Sequence, residues 1–178
     1  DQKTEKVFRA RKEASPWEGK VQNTYDRYLK LFHDESVFCN TVTHVISYEE
    51  QPWEWCRQGR LKWFTHPQME SAARRVWLYM QEIPPGSRSG KHRHMTEEQV
   101  LVIKGRGHDV HDGTRWDWEQ GDLVSIPAMA EHQHFNGDAD NPALLLSSMP
   151  SVGVALGLGG IEQLEDAPEY ADQQRTEG

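Results

Sequence analysis

The sequence predicts a mostly β fold, an antiparallel sandwich or barrel that is preceded by one helix. From Arg75 onward, short apolar runs alternate with turn residues such as Pro84-Pro85-Gly86. Short strands that recur every 8 to 12 residues or so are typical of antiparallel sandwiches and barrels. Before this region, apolar residues fall at helical spacing instead. The two patterns together indicate the fold class.

The first 70 residues are predicted to form an arm, a helix and flanking strands that pack on the barrel. Residues 1–20 are charged and show no clean period, which predicts an arm that is loose or packs on a partner subunit. Apolar residues at helical spacing predict an amphipathic helix over 21–33. The β-branched residues of 37–48 predict one or two strands, and 61–65 is expected to add a short one.

Residues 71–150 are predicted to form the barrel core. Within them Asp112-Gly113 separates two strand-like runs and is a strong signal for a two-residue hairpin loop. Residues 151–178 are predicted to be a glycine-rich segment and an acidic, solvated tail. The expected strands cover 76–83, 99–104, 107–111, 114–118, 123–126, 132–135 and 143–149.

Charge and composition exclude several classes of partner. A formal charge of -8 disfavours nucleic acid and anionic membranes, because both carry negative charge themselves. No apolar run approaches the roughly 20 residues that a membrane span needs, and no signal-peptide pattern is present. Cys39 and Cys56 form no CxxC motif, so no disulfide framework is expected. We therefore expect a cytoplasmic protein with a small-molecule partner, no nucleic acid and no membrane.

A metal site is predicted where His92, His94 and Glu98 come together. Residues two apart in a strand share a face, so the two imidazoles point the same way. Glu98 begins the next apolar run. Two imidazoles and a carboxylate suit Fe(II), Mn(II), Ni(II), Zn(II) or Cu(II) far better than Ca(II).

A second stretch, 121–136, has His132 and His134 on one face of another short strand. A residue supplied from this stretch would complete the ligand set of the first and leave positions open for water or substrate.

The two stretches resemble the two sequence motifs of the cupin superfamily. The first motif is G-x5-H-x-H-x3,4-E-x6-G, and the second is G-x5-P-x-G-x2-H-x3-N. Met129 stands where the second motif has glycine, which makes the local turn conformation the point of departure. Every other motif position is matched, by Gly86, His92, His94, Glu98, Gly105, Gly121, Pro127, His132 and Asn136.

The resemblance implies a double-stranded β-helix, a jelly-roll-like barrel, with a divalent metal inside it. The metal ligands that it implies are His92, His94, Glu98 and His132. Glu97 competes with Glu98, but the motif spacing favours Glu98. His134 has the strand parity of His132 and should also point inward. It is our candidate catalytic residue, as a general base or a substrate-binding group, although a hydrogen-bonded structural histidine fits the same pattern.

The residues of both motifs and of the hairpin between them resemble those of the gentisate dioxygenase branch of the superfamily. That branch cleaves aromatic rings with Fe(II) and O2, but typically has two barrels and a three-histidine site. The resemblance implies a single-barrel Fe(II) dioxygenase that cleaves a C–C bond in a small phenolic, enolic or dicarbonyl compound, as in aromatic compound catabolism. The alternatives are a redox-neutral lyase, decarboxylase or isomerase, in which the metal is a Lewis acid, and a non-catalytic small-molecule-binding cupin. A homodimer is expected.

Overall fold

The computed structural model describes residues 20–66, 69, 75–157, 159–170 and 172. The mostly β fold with a helix before the strands is confirmed. The chain divides into two compact units, one that contains the long helix and one that contains the strands. The predicted arm over residues 1–20 lies outside the described part of the chain except for its last residue.

Helix α1 spans Thr24–Thr41 and begins at a capping residue, Asn23. The Asn23 side chain accepts a hydrogen bond from the backbone N–H of Asp26 at 3.0 Å, which satisfies one of the free donors of the first turn. The helix was predicted over 21–33, with one or two strands over 37–48. The strand prediction is wrong, because residues 37–41 continue the helix and residues 42–48 form none of the strands. Helix extension adds one backbone hydrogen bond per residue, which outweighs the β preference of a few β-branched and aromatic residues.

Eleven strands of the described residues form two antiparallel sheets. The larger sheet has the order β1-β2-β3-β10-β5-β8 and the smaller one β11-β4-β9-β6-β7. A four-residue helix, α2 (Val152–Ala155), lies between β10 and β11 in the chain. The strands are β1 (Glu54–Cys56), β2 (Gly59–Thr65), β3 (Val76–Ile83), β4 (Lys91–His94), β5 (Glu98–Lys104), β6 (Arg106–His111), β7 (Thr114–Glu119), β8 (Leu123–Ile126), β9 (His132–Asn136), β10 (Ala143–Pro150) and β11 (Ile161–Glu165).

The core joins the two sheets through alternate residues of their strands. β5 buries Glu98, Val100 and Val102 and exposes Gln99 and Leu101, which alternate with them. This is the pattern of a strand with one inward face. Trp118 of the smaller sheet packs into the same cluster. The cluster consists of Ile83, Val100, Val102, Trp118, Ile126, Ala130, Ala143 and Leu145.

The hairpin between β6 and β7 has the two-residue loop that the sequence predicts. Asp112 and Gly113 have φ angles of 47° and 81°, and His111 pairs directly with Thr114 on either side of them. Two successive positive φ angles match the twist of the flanking strands, and Asp-Gly tolerates them well. The hairpin therefore sets the register of β6, which carries side chains into the barrel.

Asn136, the last residue of the second motif, joins three segments of the barrel. Its side-chain amide donates to the carbonyl oxygens of Ile83, Pro84 and Asn141, at 3.1, 3.1 and 2.8 Å. Its side-chain oxygen accepts from the backbone N–H of Asp138 at 2.9 Å. The end of β9 is thereby held to the end of β3 and to the turn before β10.

The C-terminal part of the chain supplies a strand that the sequence analysis did not predict. The prediction of a solvated tail is wrong for residues 162–165, because they belong to β11, which pairs antiparallel with β4. Ile161 lies opposite His94, and Gln163 lies opposite His92. On its other side β4 is joined to β9 through one residue pair, His92 and His132. β11 thus supports most of the length of β4.

Candidate metal centre

The register of three strands brings the four predicted ligands together inside the barrel. His92 on β4 lies directly opposite His132 on β9, and His94 follows two residues later on the same face. Glu98 is the first residue of β5, in the larger sheet. All four side chains are buried. Glu97, the competing carboxylate, is exposed.

One potential ligand atom from each of these residues lies within 4.8 Å of the others. His94 Nε2 is 2.9 Å from Glu98 Oε2, and His132 Nε2 is 3.5 Å from the same oxygen. A buried group of three imidazoles and one carboxylate at this separation can hold a divalent metal.

The hydrogen bonds of the imidazole rings fit this use. His94 Nδ1 donates to the carbonyl oxygen of Thr96 at 2.7 Å, and His132 Nδ1 donates to that of Ala130 at 2.9 Å. In a neutral ring each Nε2 then carries a bare lone pair. His132 Nε2 has no hydrogen-bond partner, nor does His92 Nδ1. Lone pairs that face a buried carboxylate repel it unless a cation, either a proton or a metal ion, lies between them. The residues present therefore fit a bound divalent metal.

The protonation of two of these groups also suits a metal. Burial, together with the neighbouring His132, lowers the pKa of His92 to about 2, so this ring is neutral at physiological pH. Burial alone would raise the pKa of Glu98, but the ring nitrogens of His132 and His94 outweigh it and hold that pKa well below its usual range. A neutral imidazole and an ionised carboxylate are the forms that bind metals.

Tyr79 on β3 reaches the cluster from the larger sheet. Its hydroxyl donates to Glu98 Oε1 at 2.9 Å, and its ring packs on Trp63 with centroids 4.8 Å apart. Both faces of β3 look buried in the sequence, so the sequence does not indicate which one lines the cavity. The structure places Tyr79 toward the metal-binding residues. Burial and the charge of Glu98 raise the pKa of Tyr79 well above its usual value, so the hydroxyl keeps its proton.

His134 points into the barrel, as strand parity predicts, and its ring centroid lies 5.9 Å from that of His132. Its Nδ1 donates to Asp109 Oδ1 at 2.9 Å. Burial lowers the pKa of His134, but the Asp109 carboxylate outweighs burial and the net change is upward. Asp109 also accepts hydrogen bonds from Trp118 Nε1 at 2.7 Å and from His111 Nε2 at 3.2 Å.

Asp109 and His111 are residues of this network that the sequence analysis did not select. His111 was set aside because it has no ligand partner at useful spacing. The available signal was strand parity, because Asp109 and His111 are two apart on β6 and lie opposite His134 and His132 of β9. Arg93, which alternates with the two ligands of β4, instead forms ion pairs with Glu162 and Glu131.

A cavity of about 570 Å³ lies beside this network. Its lining combines apolar and aromatic side chains with acidic and hydroxyl side chains and with His111, which links it to Asp109. The His111 ring centroid is 6.3 Å from that of His132. The volume is within the range of small-molecule sites in proteins. Six of its lining residues are His111, Trp116, Trp118, Val124, Pro127 and Ala130.

Met129, which replaces the motif glycine, keeps the backbone conformation that favours glycine. Its φ angle is 68°, and its backbone N–H donates to the carbonyl oxygen of His94 at 2.8 Å. The left-handed conformation costs a residue with a side chain about 1–2 kcal/mol. The turn therefore retains its shape and its bond to the ligand strand, at some cost in stability.

No helix in the described ranges is both long and apolar enough to cross a membrane. Cys39 and Cys56 are free thiols.

Comparisons with known proteins agree with the fold and the motifs. A family profile described as "Cupin domain" matches residues 79–149. A 5-aminosalicylate 1,2-dioxygenase from a Comamonas species is 37% identical over 60 residues, which is 34% of this chain and 16% of that protein. The chain thus spans about a sixth of the length of this curated relative.

Two solved structures share the fold at low sequence identity. A mutant of salicylate 1,2-dioxygenase from Pseudoaminobacter salicylatoxidans, in complex with gentisate, has a TM-score of 0.51 at 13% identity, over 58% of this chain and 28% of its own. A cupin-like protein from Thermotoga maritima has a TM-score of 0.51 at 19% identity, over 71% of this chain and 90% of its own. Residues 79–149 therefore match the cupin domain profile, as the two motifs predict.

Proposed function

We propose that this chain is a metal-dependent dioxygenase that cleaves a C–C bond in a small phenolic, enolic or dicarbonyl substrate. The observation that carries the proposal is the buried group of His92, His94, Glu98 and His132, whose ligand atoms lie within 4.8 Å of one another. The partial relative that acts on 5-aminosalicylate supports an aromatic substrate. Fe(II) is the proposed metal, with Mn(II), Ni(II), Zn(II) and Cu(II) as alternatives.

A bound Fe(II) would supply the activation of O2 and two positions for oxygen atoms of the substrate. The protein's own contribution begins with His134. Because Nδ1 of His134 is committed to Asp109, Nε2 is the nitrogen that remains to exchange a proton with a substrate hydroxyl. The cavity is the proposed approach of the substrate, because it reaches the network through His111, although neither His134 nor the four metal-binding residues line it. Its two tryptophans suit a flat ring.

The function is tested by metal analysis followed by O2-uptake measurements on iron-loaded protein. The substrates are catechols, gentisate-like phenols, 5-aminosalicylate, salicylate and β-diketones. We expect O2 uptake with at least one of them, and a ring- or chain-cleaved product. Absence of uptake with every one, with iron shown to be bound, would reject the dioxygenase.

His134 has a matched control in His108, which is half-buried and stacks on Phe135. With the substrate that the panel identifies, His134→Ala should lower kcat by roughly 100-fold or more, the usual range for loss of a general acid or base. His108→Ala should leave kcat within about twofold. Equal effects of the two substitutions would remove His134 from the mechanism.

A second candidate is a redox-neutral lyase, decarboxylase or isomerase. Glu98 supports this candidate in two ways. The gentisate branch typically uses three histidines and no carboxylate, and an anionic ligand also suits a metal that acts as a Lewis acid. Turnover without O2, or full activity with Zn(II) or Mn(II), would establish this alternative. If the loaded protein binds small molecules and turns none over, it is a non-catalytic binding cupin.

We also propose a cytoplasmic homodimer. Trp116 on β7 and Leu123 on β8 are 55% and 62% exposed, and β7 and β8 each form an edge of a sheet. Both residues also line the cavity, so the proposed pairing lies at its rim. Exposed apolar side chains on sheet edges are suited to pairing between copies. Light scattering should give twice the chain mass, and Trp116→Asp combined with Leu123→Asp should give monomers. A monomeric native chain would reject the dimer.

A further inference from the structure

The two carboxylate oxygens of Glu98 have different surroundings. Oε2 faces His94 Nε2 at 2.9 Å and His132 Nε2 at 3.5 Å, which places it among the metal-binding atoms. Oε1 accepts the hydroxyl of Tyr79 at 2.9 Å. One oxygen therefore belongs to the metal centre, and the other is occupied by a hydrogen bond from a different strand.

We propose that Tyr79 is a positioning residue that restricts Glu98 to binding the metal through one oxygen, so that a substrate can bind through two. A metal with three imidazole nitrogens and one carboxylate oxygen retains two of the six positions of an octahedron. If Glu98 bound through both oxygens, only one position would remain. The inference rests on the metal centre of the proposed function and assigns it a substrate class, molecules with two adjacent oxygen donors.

Tyr79 is suited to this restraint because its ring is held in place. It is buried, it packs against Trp63, and it belongs to a hydrophobic cluster with Leu61 and Met149. Its strand, β3, pairs on both sides, with β2 and with β10. Rotation of the carboxylate to bring Oε1 onto a metal would break a buried hydrogen bond, which contributes about 0.5–1.5 kcal/mol net.

The contact between Tyr79 and Glu98 also has a fixed donor and a fixed acceptor. Among the described contacts of Glu98 Oε1, the hydrogen bond from Tyr79 is the one that defines its position. A phenol that keeps its proton can only donate to the carboxylate. Partners of ligand side chains in this position commonly alter metal affinity or activity by 10–100-fold when they are removed.

The test uses the Co(II)-loaded chain, because visible absorption of Co(II) reports a change of coordination without turnover. Two probes are titrated in. Tropolone offers two adjacent oxygen donors, and azide offers a single donor atom. The variants are Tyr79→Phe, which removes only the hydroxyl, and Tyr48→Phe, which removes the same group from a tyrosine that contacts Phe64 and Lys62 instead.

We expect Tyr79→Phe to weaken tropolone binding by about 10-fold or more relative to azide binding. Tyr48→Phe should leave the ratio of the two affinities unchanged. A merely structural role would lower both affinities by the same factor, and that result, or no change in the ratio, would overturn the inference. So would loss of Co(II) binding by Tyr79→Phe with an unchanged unfolding temperature.

A crystal structure of the Co(II)-loaded native chain gives an independent answer that does not depend on a variant. Glu98 bound through one oxygen, with Oε1 on Tyr79, supports the inference, and Glu98 bound through both oxygens overturns it. Neither experiment uses O2 or measures turnover. Failure of the dioxygenase proposal in the O2-uptake assay therefore leaves this result standing, and the reverse also holds.

Discussion

Substitution of Asn136 by alanine should destabilise the barrel strongly without removing a metal ligand. The two N–H groups of the side chain reach three backbone carbonyl oxygens, so one N–H is shared between two of them, and the side-chain oxygen accepts one backbone N–H. A hydrogen bond contributes about 0.5–1.5 kcal/mol net, and partners left unsatisfied in a buried place add to the loss. Because part of this site is near the surface, we expect a loss of about 3 kcal/mol.

The assay is urea denaturation of the metal-free chain, monitored by circular dichroism. For a chain of this size the expected loss corresponds to a fall in Tm of roughly 6–12 °C. Asn40→Ala is the matched control, because Asn40 is exposed on α1 and its side chain donates to a single carbonyl, that of Ser36; its effect should be within about 0.5 kcal/mol. A loss below about 1 kcal/mol for Asn136→Ala, at an unchanged denaturant slope, would refute the reasoning.

Three further predictions concern the metal centre and its surroundings. Glu98→Gln should remove most bound metal, because it deletes the one anionic ligand, whereas Glu97→Gln should leave metal content unchanged; equal metal content in both variants would contradict the ligand assignment. The folded chain keeps His92 neutral down to pH about 2, whereas the unfolded chain takes up this proton below about pH 6.5. The metal-free protein should therefore lose stability as the pH falls from 6.5, by up to about 1.4 kcal/mol per pH unit from this residue. Denaturation at several pH values checks this, and a smaller slope in His92→Gln would assign it. Met129→Gly should stabilise the chain by about 0.5–1 kcal/mol, because it relieves a φ of 68° and the added freedom of glycine offsets only part of the gain; a lower Tm would show that the turn is not strained.

The inward direction of the histidines could be predicted because side chains alternate between the two faces of a strand with a period of two residues. Once 91–94 and 132–136 are strands, His92 must share a face with His94, and His132 must share one with His134. The motif spacing further favoured Glu98 rather than Glu97 as the carboxylate ligand, and the structure buries Glu98 and exposes Glu97. These features are local, and the register of the sheets then brings them together.

The features that the sequence analysis missed depend on partners that lie far away in the chain. Tyr79 could not be assigned to a face, because both faces of β3 are covered, and only its bond to Glu98 distinguishes them. The strand β11 has an exposed, acidic sequence that resembles a solvated tail. It is a strand because the free edge of β4 offers backbone hydrogen bonds. The periodicity of 161–165 alone does not indicate that such an edge is available.

The C-terminal end of α1 illustrates the opposite case, in which the β preference of single residues predicts the wrong structure. Residues 37–41 have β-branched and aromatic side chains, yet they continue a helix that is already formed. The side chains of Asn40 and Thr41 donate to the carbonyl oxygens of Ser36 and Val37, so polar groups that often favour turns here bond to the last turns of the helix.

The pairing of β11 with β4 bears on the order in which the site matures during protein synthesis. β4 carries two of the four metal-binding residues, and β11 follows it by roughly seventy residues, which takes about 4–14 seconds at ribosomal rates of 5–20 residues per second. Until β11 has left the ribosome, β4 has one free edge, and His92 and His94 rest on a single paired residue of β9. The four side chains that could hold a metal are therefore fixed in place late, after translation of the strand that closes the edge.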